Sequence, residues 1–142
     1  MTVKPVSTSA ALLAPFHGVL LGGAFAFFFA TLLSDFAYIA SYHIQWSNFA
    51  SWLITAGLLF SALILLSAVV SLLRPAYRVK AFVIYTVLLL LICALALLNA
   101  LIHARDAWGV MPTGAVLSGI VMLLAALASW LGFSRFGVGG AA

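Results

Sequence analysis

The sequence predicts an all-α integral membrane protein, a four-helix bundle of up-down-up-down topology with both termini cytoplasmic. Two observations carry that prediction. Four apolar stretches, at about 14–33, 49–73, 81–102 and 114–133, contain no Lys, Arg, Asp or Glu. Each is about as long as the ~20 residues a helix needs to cross ~30 Å of hydrocarbon. The composition agrees: 67% of the residues are hydrophobic and 6% charged, too little polar surface for an ordinary soluble domain. Once four spans are subtracted, little remains of the 142 residues for a second module, so 1–142 reads as a single transmembrane domain.

Taken in order, the N-terminal segment lacks the shape of a cleaved signal. Lys4 is followed by Ser, Thr and Pro, and the first apolar run is already of full span length. In helix one, Gly18, Gly22, Ala26 and Ala30 recur every four residues along one face. Small residues let membrane helices approach closely, because lipid supplies no hydrophobic drive for their association. Internal packing is the plainer use of such a face, and a homodimer the other. Phe25, Phe27, Phe28 and Phe29 wrap most of this helix and read as lipid-facing bulk. A first outer loop is expected over Ser34–Asn48.

Helix two runs to Pro75, which cannot continue it. The short Arg74–Lys80 linker then makes helices two and three antiparallel neighbours. Helix three carries Ala96, Ala100 and Ala104 as a small face, and Cys93, the one cysteine, has no partner for an internal disulfide. A second outer loop is expected over His103–Thr113. Helix four repeats the small-residue device in Ala115 with Gly119 and in Gly114 with Ser118. Residues 137–142 read as a frayed tail.

The net charge of +4 reports topology and not a nucleic-acid surface, because the basic residues stand beside helix ends. Lys4, Arg74, Arg78, Lys80 and Arg135 fall on one side, and only Arg105 on the other. The positive-inside bias makes the first side cytoplasmic.

The polar residues able to carry chemistry gather on the opposite side. Asp35, Arg105 and Asp106 form an outer-face polar cluster in which Asp35 and Arg105 are expected to pair, and Asp106 to meet His43 or His103. Tyr38, Tyr42, Trp46 and Trp108 read as an aromatic belt, as do Trp52 and Trp130 near helix ends. Histidine is the sharper signal. His43 and His103 could ligate haem iron from two sides, with Asn99, one turn from His103, orienting the imidazole. His17 lies across the bilayer from such a site. No catalytic constellation or metal-ligand spacing motif appears, nor a Walker loop, CxxCH or HExxH. No span contains an acidic residue, which disfavours a proton-coupled transporter.

The segments Pro15–Leu20, Leu33–Tyr38, Trp46–Leu58, His103–Trp108, Pro112–Ser118 and Ser129–Gly132 together resemble a family of predicted bacterial membrane proteins, domain of unknown function 2231. The resemblance covers most of the chain and implies a four-span membrane protein, with no activity to carry over; the expected location is the bacterial inner membrane. His17, Asp35, His103, Arg105 and Asp106 match positions of interest in it. The chain departs from the pattern at Gly22, Gly23 and Ala24, where relatives tend to place Pro. It departs again at Ala68–Ser71, where they place Gly-x-x-Asp, and at Phe136, where many have His.

By subtraction, the leading expectation is a non-enzymatic accessory or structural subunit, with the lipid bilayer, a second copy or a larger membrane complex as partners. The alternative is an electron-transfer module with b-type haem at His43 and His103. A small transporter or channel ranks third, because the spans offer only Asn99 and scattered Ser and Thr as a polar lining.

Overall fold

A computed structural model describes residues 8–135, with side chains for 15–134. Among the described residues there are four α-helices: α1 (Thr8–Ser41), α2 (Ile44–Leu72), α3 (Lys80–His103) and α4 (Thr113–Arg135). All four are long and apolar enough to cross a membrane. Each packs mainly against its neighbours in sequence, and α4 closes the ring against α1, leaving α1 diagonal to α3. One end of the bundle carries the α1–α2 and α3–α4 connections, and the other the α2–α3 connection. We call them the two-loop and the one-loop end. Lys4, Phe136 and the 137–142 tail lie outside the described residues.

The first expected loop is mostly helix. α1 continues past Leu33 to Ser41 and α2 begins at Ile44, so only Tyr42 and His43 connect them. Nothing between Ser34 and Ser41 breaks a helix. The charge at Asp35 had marked the end of an apolar run, and a charge can stay inside a bundle when it is paired. Tyr42 makes the turn in the left-handed region, at φ 54, and its N–H bonds the Tyr38 carbonyl at 2.7 Å. At the other end of α2, a 3-10 turn over Pro75–Tyr77 reverses the chain. There Arg78 Nε donates to the Leu72 carbonyl at 3.0 Å, satisfying one of the acceptors a helix C-terminus leaves open.

The buried positions form one seam on every helix. The seam runs through Leu21, Ala24, Phe28, Thr31, Asp35 and Tyr38 on α1, with buried Leu20 and Ser34 beside it, and through Ser47, Ala50, Ile54, Gly57, Ser61, Ile64 and Ala68 on α2. On α3 they include Phe82, Tyr85, Leu89, Ile92, Ala96, Asn99 and His103, and on α4 Gly114, Ser118, Val121, Ala125, Ala128 and Gly132. The steps alternate between three and four residues, the seven-residue period of helices that wrap around one another with knobs in holes. Much of the seam is small or polar, while the lipid-facing surface carries Trp52, Leu59, Leu66, Val87, Leu101, Leu123 and Trp130. A bilayer is as apolar as a core, so hydrophobicity does not sort the two faces; size and hydrogen bonding do.

Close approach between α1 and α2 is reciprocal. A Cβ added at Gly57 would stand 2.6 Å from the Phe28 ring, and one at Gly23 2.6 Å from the Phe60 ring. Each helix thus seats an aromatic ring on a glycine of the other. This corrects two expectations. Phe28 is a core residue, 1% exposed, and not lipid-facing bulk. The Gly18–Gly22–Ala26–Ala30 face is not the seam: Ala26 is exposed, and nothing lies within 4 Å of a Cβ at Gly22. On α4, Gly114 and Ser118 are buried, while Ala115 and Gly119 are half-buried and line an apolar groove with Leu32 and Phe36 of α1.

Candidate functional site

At the two-loop end, α1, α3 and α4 each bring a polar side chain to the bundle interior. Asp35 stands six residues before the end of α1, about 9 Å along its axis, and is wholly buried. His103 is the last residue of α3, and its Nε2 lies 2.9 Å from Asp35 Oδ1. Ser118, on the second turn of α4, donates to Asp35 Oδ2 at 2.5 Å, within the range of charge-assisted O–H···O bonds. Asn99, one turn before His103, donates from Nδ2 to Ser118 Oγ at 2.9 Å. The circuit closes through the backbone: His103 Nδ1 lies 3.0 Å from the Asn99 carbonyl.

The acceptors determine most of the protons in this ring. A carbonyl only accepts, so His103 Nδ1 carries a hydrogen. Ser118 accepts from the Asn99 amide and spends its own hydrogen on Asp35. The Nε2···Oδ1 bond then holds one proton, whether written as carboxylate with imidazolium or as carboxylic acid with imidazole. Both forms leave the pair with zero net charge, the condition under which ionisable groups are tolerated at this depth. One acceptor is left over: Asn99 Oδ1 is buried with no hydrogen-bond partner.

Backbone geometry makes room for the ring. A Cβ at Gly114 would stand 2.8 Å from His103 Cε1 and 2.7 Å from Val110, so a hydrogen at this position lets α4 approach the imidazole. Tyr38, one turn beyond Asp35, is 4% exposed and donates its hydroxyl to the Ala107 carbonyl at 3.2 Å. It ties α1 to the α3–α4 connection and does not belong to the aromatic belt. Tyr42, Trp46, Trp52, Trp108 and Trp130 are exposed.

The expected outer cluster is therefore rearranged. Asp35 pairs with His103 and Ser118, and Arg105 is exposed in the α3–α4 connection. Asp106 is exposed too, and its carboxylate accepts the Trp108 N–H at 3.3 Å, capping the 3-10 turn Ala107–Gly109. His43 is exposed at the head of α2. Both ring nitrogens of His103 are engaged, so the two histidines do not present a facing pair of free nitrogens to an iron. The backbone carbonyl of Asn99 accepts from His103 Nδ1, while its side chain donates to Ser118.

A second polar pair spans the same diagonal at the one-loop end. His17 Nε2 lies 3.2 Å from the Tyr85 hydroxyl, and its Nδ1 3.4 Å from Ser67 Oγ. Ser67 donates to the Ile64 carbonyl at 2.7 Å, so its oxygen accepts from His17 Nδ1 and the Tyr85 hydroxyl donates to Nε2. His17 precedes Asp35, and Tyr85 precedes His103, by 18 residues, five helical turns on one face. That doubled spacing was present in the sequence as a signal for both diagonal pairs. Ser67, Tyr85 and Ser118 were missed because Ser and Tyr are common in spans and carry no charge. Between the two ends the interior holds Ala24, Phe28, Leu89, Ile92, Ala96, Val121 and Ala125, with buried Thr31, Ser61 and Thr86 among them, the two threonines donating to carbonyls of their own helices.

The model of a family described as "Predicted membrane protein (DUF2231)" matches residues 13–139. No curated protein and no solved structure matches it.

Proposed function

The chain belongs to the DUF2231 family of predicted membrane proteins, and from that premise we propose that it is a non-enzymatic structural or accessory subunit of a membrane complex. We place it in the bacterial inner membrane with both termini cytoplasmic, where Arg74, Arg78 and Lys80 would meet the side that favours basic residues. The observation that carries the reading is the arrangement of the core. Polar side chains pair with one another across the bundle, linking α1, α3 and α4 at one end and α1, α2 and α3 at the other. The apolar layer between them leaves the helix interface filled and not lined for passage. Such a bundle presents its lipid-facing surface and its loops to partners.

Gentle solubilisation of native membranes, followed by native electrophoresis and crosslinking, tests this. The expected result is a discrete species larger than the protomer, containing the same second protein, or copies of this one, in every preparation. A protomer that runs free under these conditions, or purified protein that moves a defined solute across liposomes, would overturn it. Orientation is read separately: an impermeant thiol reagent on intact cells should label Arg105→Cys and spare Arg78→Cys.

A further inference from the structure

We infer that the ring of Asp35, His103, Ser118 and Asn99 is a proton-binding site, in exchange with water at the two-loop end. Its single shared proton joins α1 to α3, and the bonds of Ser118 add α4 to the ring.

Three of the four bonds have donors dictated by their acceptors, as derived above, which leaves the Nε2···Oδ1 bond as the place where proton occupancy can change. Removing that proton sets the Nε2 lone pair against a carboxylate and leaves a net negative charge. Adding a second leaves protonated Nε2 facing protonated Oδ1, with a net positive charge. Either change breaks the 2.9 Å contact and charges a wholly buried pair, which is costly in a low-dielectric interior. The ring therefore closes in one protonation state and loosens on both sides of it.

Asn99 Oδ1 points to the route. Asn99 is 2% exposed, and this oxygen is an acceptor without a partner on the same amide that donates to Ser118. Buried acceptors of this kind are the usual hosts of an internal water. A water donating to Oδ1 stands beside Ser118 and can carry the proton to or from the pair. Exchange is one-sided, because the side chains between this ring and His17 and Tyr85 are mainly apolar, and Thr31 and Thr86 among them spend their hydrogens on carbonyls of their own helices.

The charged and titratable surroundings are sparse. On α1 the nearest is Tyr38, bonded to the Ala107 carbonyl. Neither Ile44–Leu72 of α2 nor Thr113–Ser134 of α4 contains a titratable side chain. On α3 the next titratable group is Cys93. Arg105 and Asp106 in the connection and His43 at the head of α2 are exposed.

The chain helps its own test, since Asp35 and Asp106 are its only acidic side chains. Full-length protein labelled with 13C at the aspartate carboxyl, carrying Asp106→Asn, reports Asp35 alone in a lipid bilayer. Infrared or solid-state NMR spectra recorded from acidic to alkaline buffer should show that carboxyl signal shift in step with the 15N ring signals of His103. The Nδ1 signal should stay protonated until the ring opens. After a pH jump, Asn99→Leu should slow the shift several-fold. A carboxyl signal that does not move while the bundle stays folded, or a bundle that unfolds before it moves, would show a purely structural pair and overturn the proposal. An Asn99→Leu variant that relaxes as fast as the parent would overturn the water route.

Discussion

At the scale of single residues, the ring at the two-loop end divides its contributions unequally. Removing Ser118 deletes two interhelical hydrogen bonds, one from Asn99 and one to Asp35, and such bonds in membranes are worth about 0.6 kcal/mol each, because the unfolded chain in lipid finds other partners. Asp35→Ala instead leaves a buried imidazole unpaired, a change that costs about 3 kcal/mol. Thermal denaturation in one detergent should thus rank Asp35→Ala well below Ser118→Ala. Charge exchange discriminates further. Asp35→Arg should unfold the bundle, and adding Arg105→Asp should not rescue it, because Arg105 lies outside the ring. Rescue in the double variant would restore the Asp35–Arg105 pair. That pair is the natural guess from sequence: opposite charges near adjacent helix ends suggest a loop tie, whereas His103, neutral in a formal count, was read as a ligand. The chemistry of Asp35 was legible and its partner was not, since partner choice depends on which face of α1 is buried.

At the scale of elements, α3, α4 and the end of α2 were legible to within two residues, while α1 and the head of α2 run five to eight residues past their apolar stretches. Length and the absence of charge locate a span, but they do not tell a charged residue that ends a helix from one paired within it. The packing face was harder still. Regular four-residue spacing of Gly18, Gly22, Ala26 and Ala30 suggested a seam, yet the buried positions alternate three and four. Glycine substitutions separate the two faces. Gly57→Ala and Gly23→Ala press a Cβ against a phenyl ring and should each destabilise by about 1–3 kcal/mol. Gly22→Ala meets nothing within 4 Å and should be neutral or slightly stabilising. Equal losses at all three positions would place the four-residue face inside an interface.

At the scale of the whole molecule, large apolar side chains stand on both faces, and what marks the inside is the small and polar residues set among Phe28, Tyr85, Leu89 and Ile92. Composition could establish a membrane bundle, and positive charge could suggest its orientation, because both are sums over residues. Which helices stand diagonal is a property of closure, visible only when α4 meets α1. Exchanges confined to the outer surface, such as Leu59→Ile with Leu123→Ile, should leave the melting temperature nearly unchanged. A comparable Ile92→Ala in the filled layer should cost about 2–5 kcal/mol.

The diagonal pairing also has a meaning in time. Ribosomes deliver this chain from its N-terminus, so Asp35 is synthesised 68 residues before His103 and 83 before Ser118. The α1–α2 hairpin, joined by two residues and locked ring to glycine, has its mutual contacts complete before α3 is made. Its carboxyl group must then wait, protonated or held near the headgroups, for partners not yet made. Nascent chains arrested before α3 emerges should accordingly be retained poorly in the membrane, and Asp35→Asn should improve their retention while weakening the finished bundle. The same carboxyl that fastens the completed protein is a burden to its first half, and that makes the arrival of the last two helices the decisive event in its biogenesis.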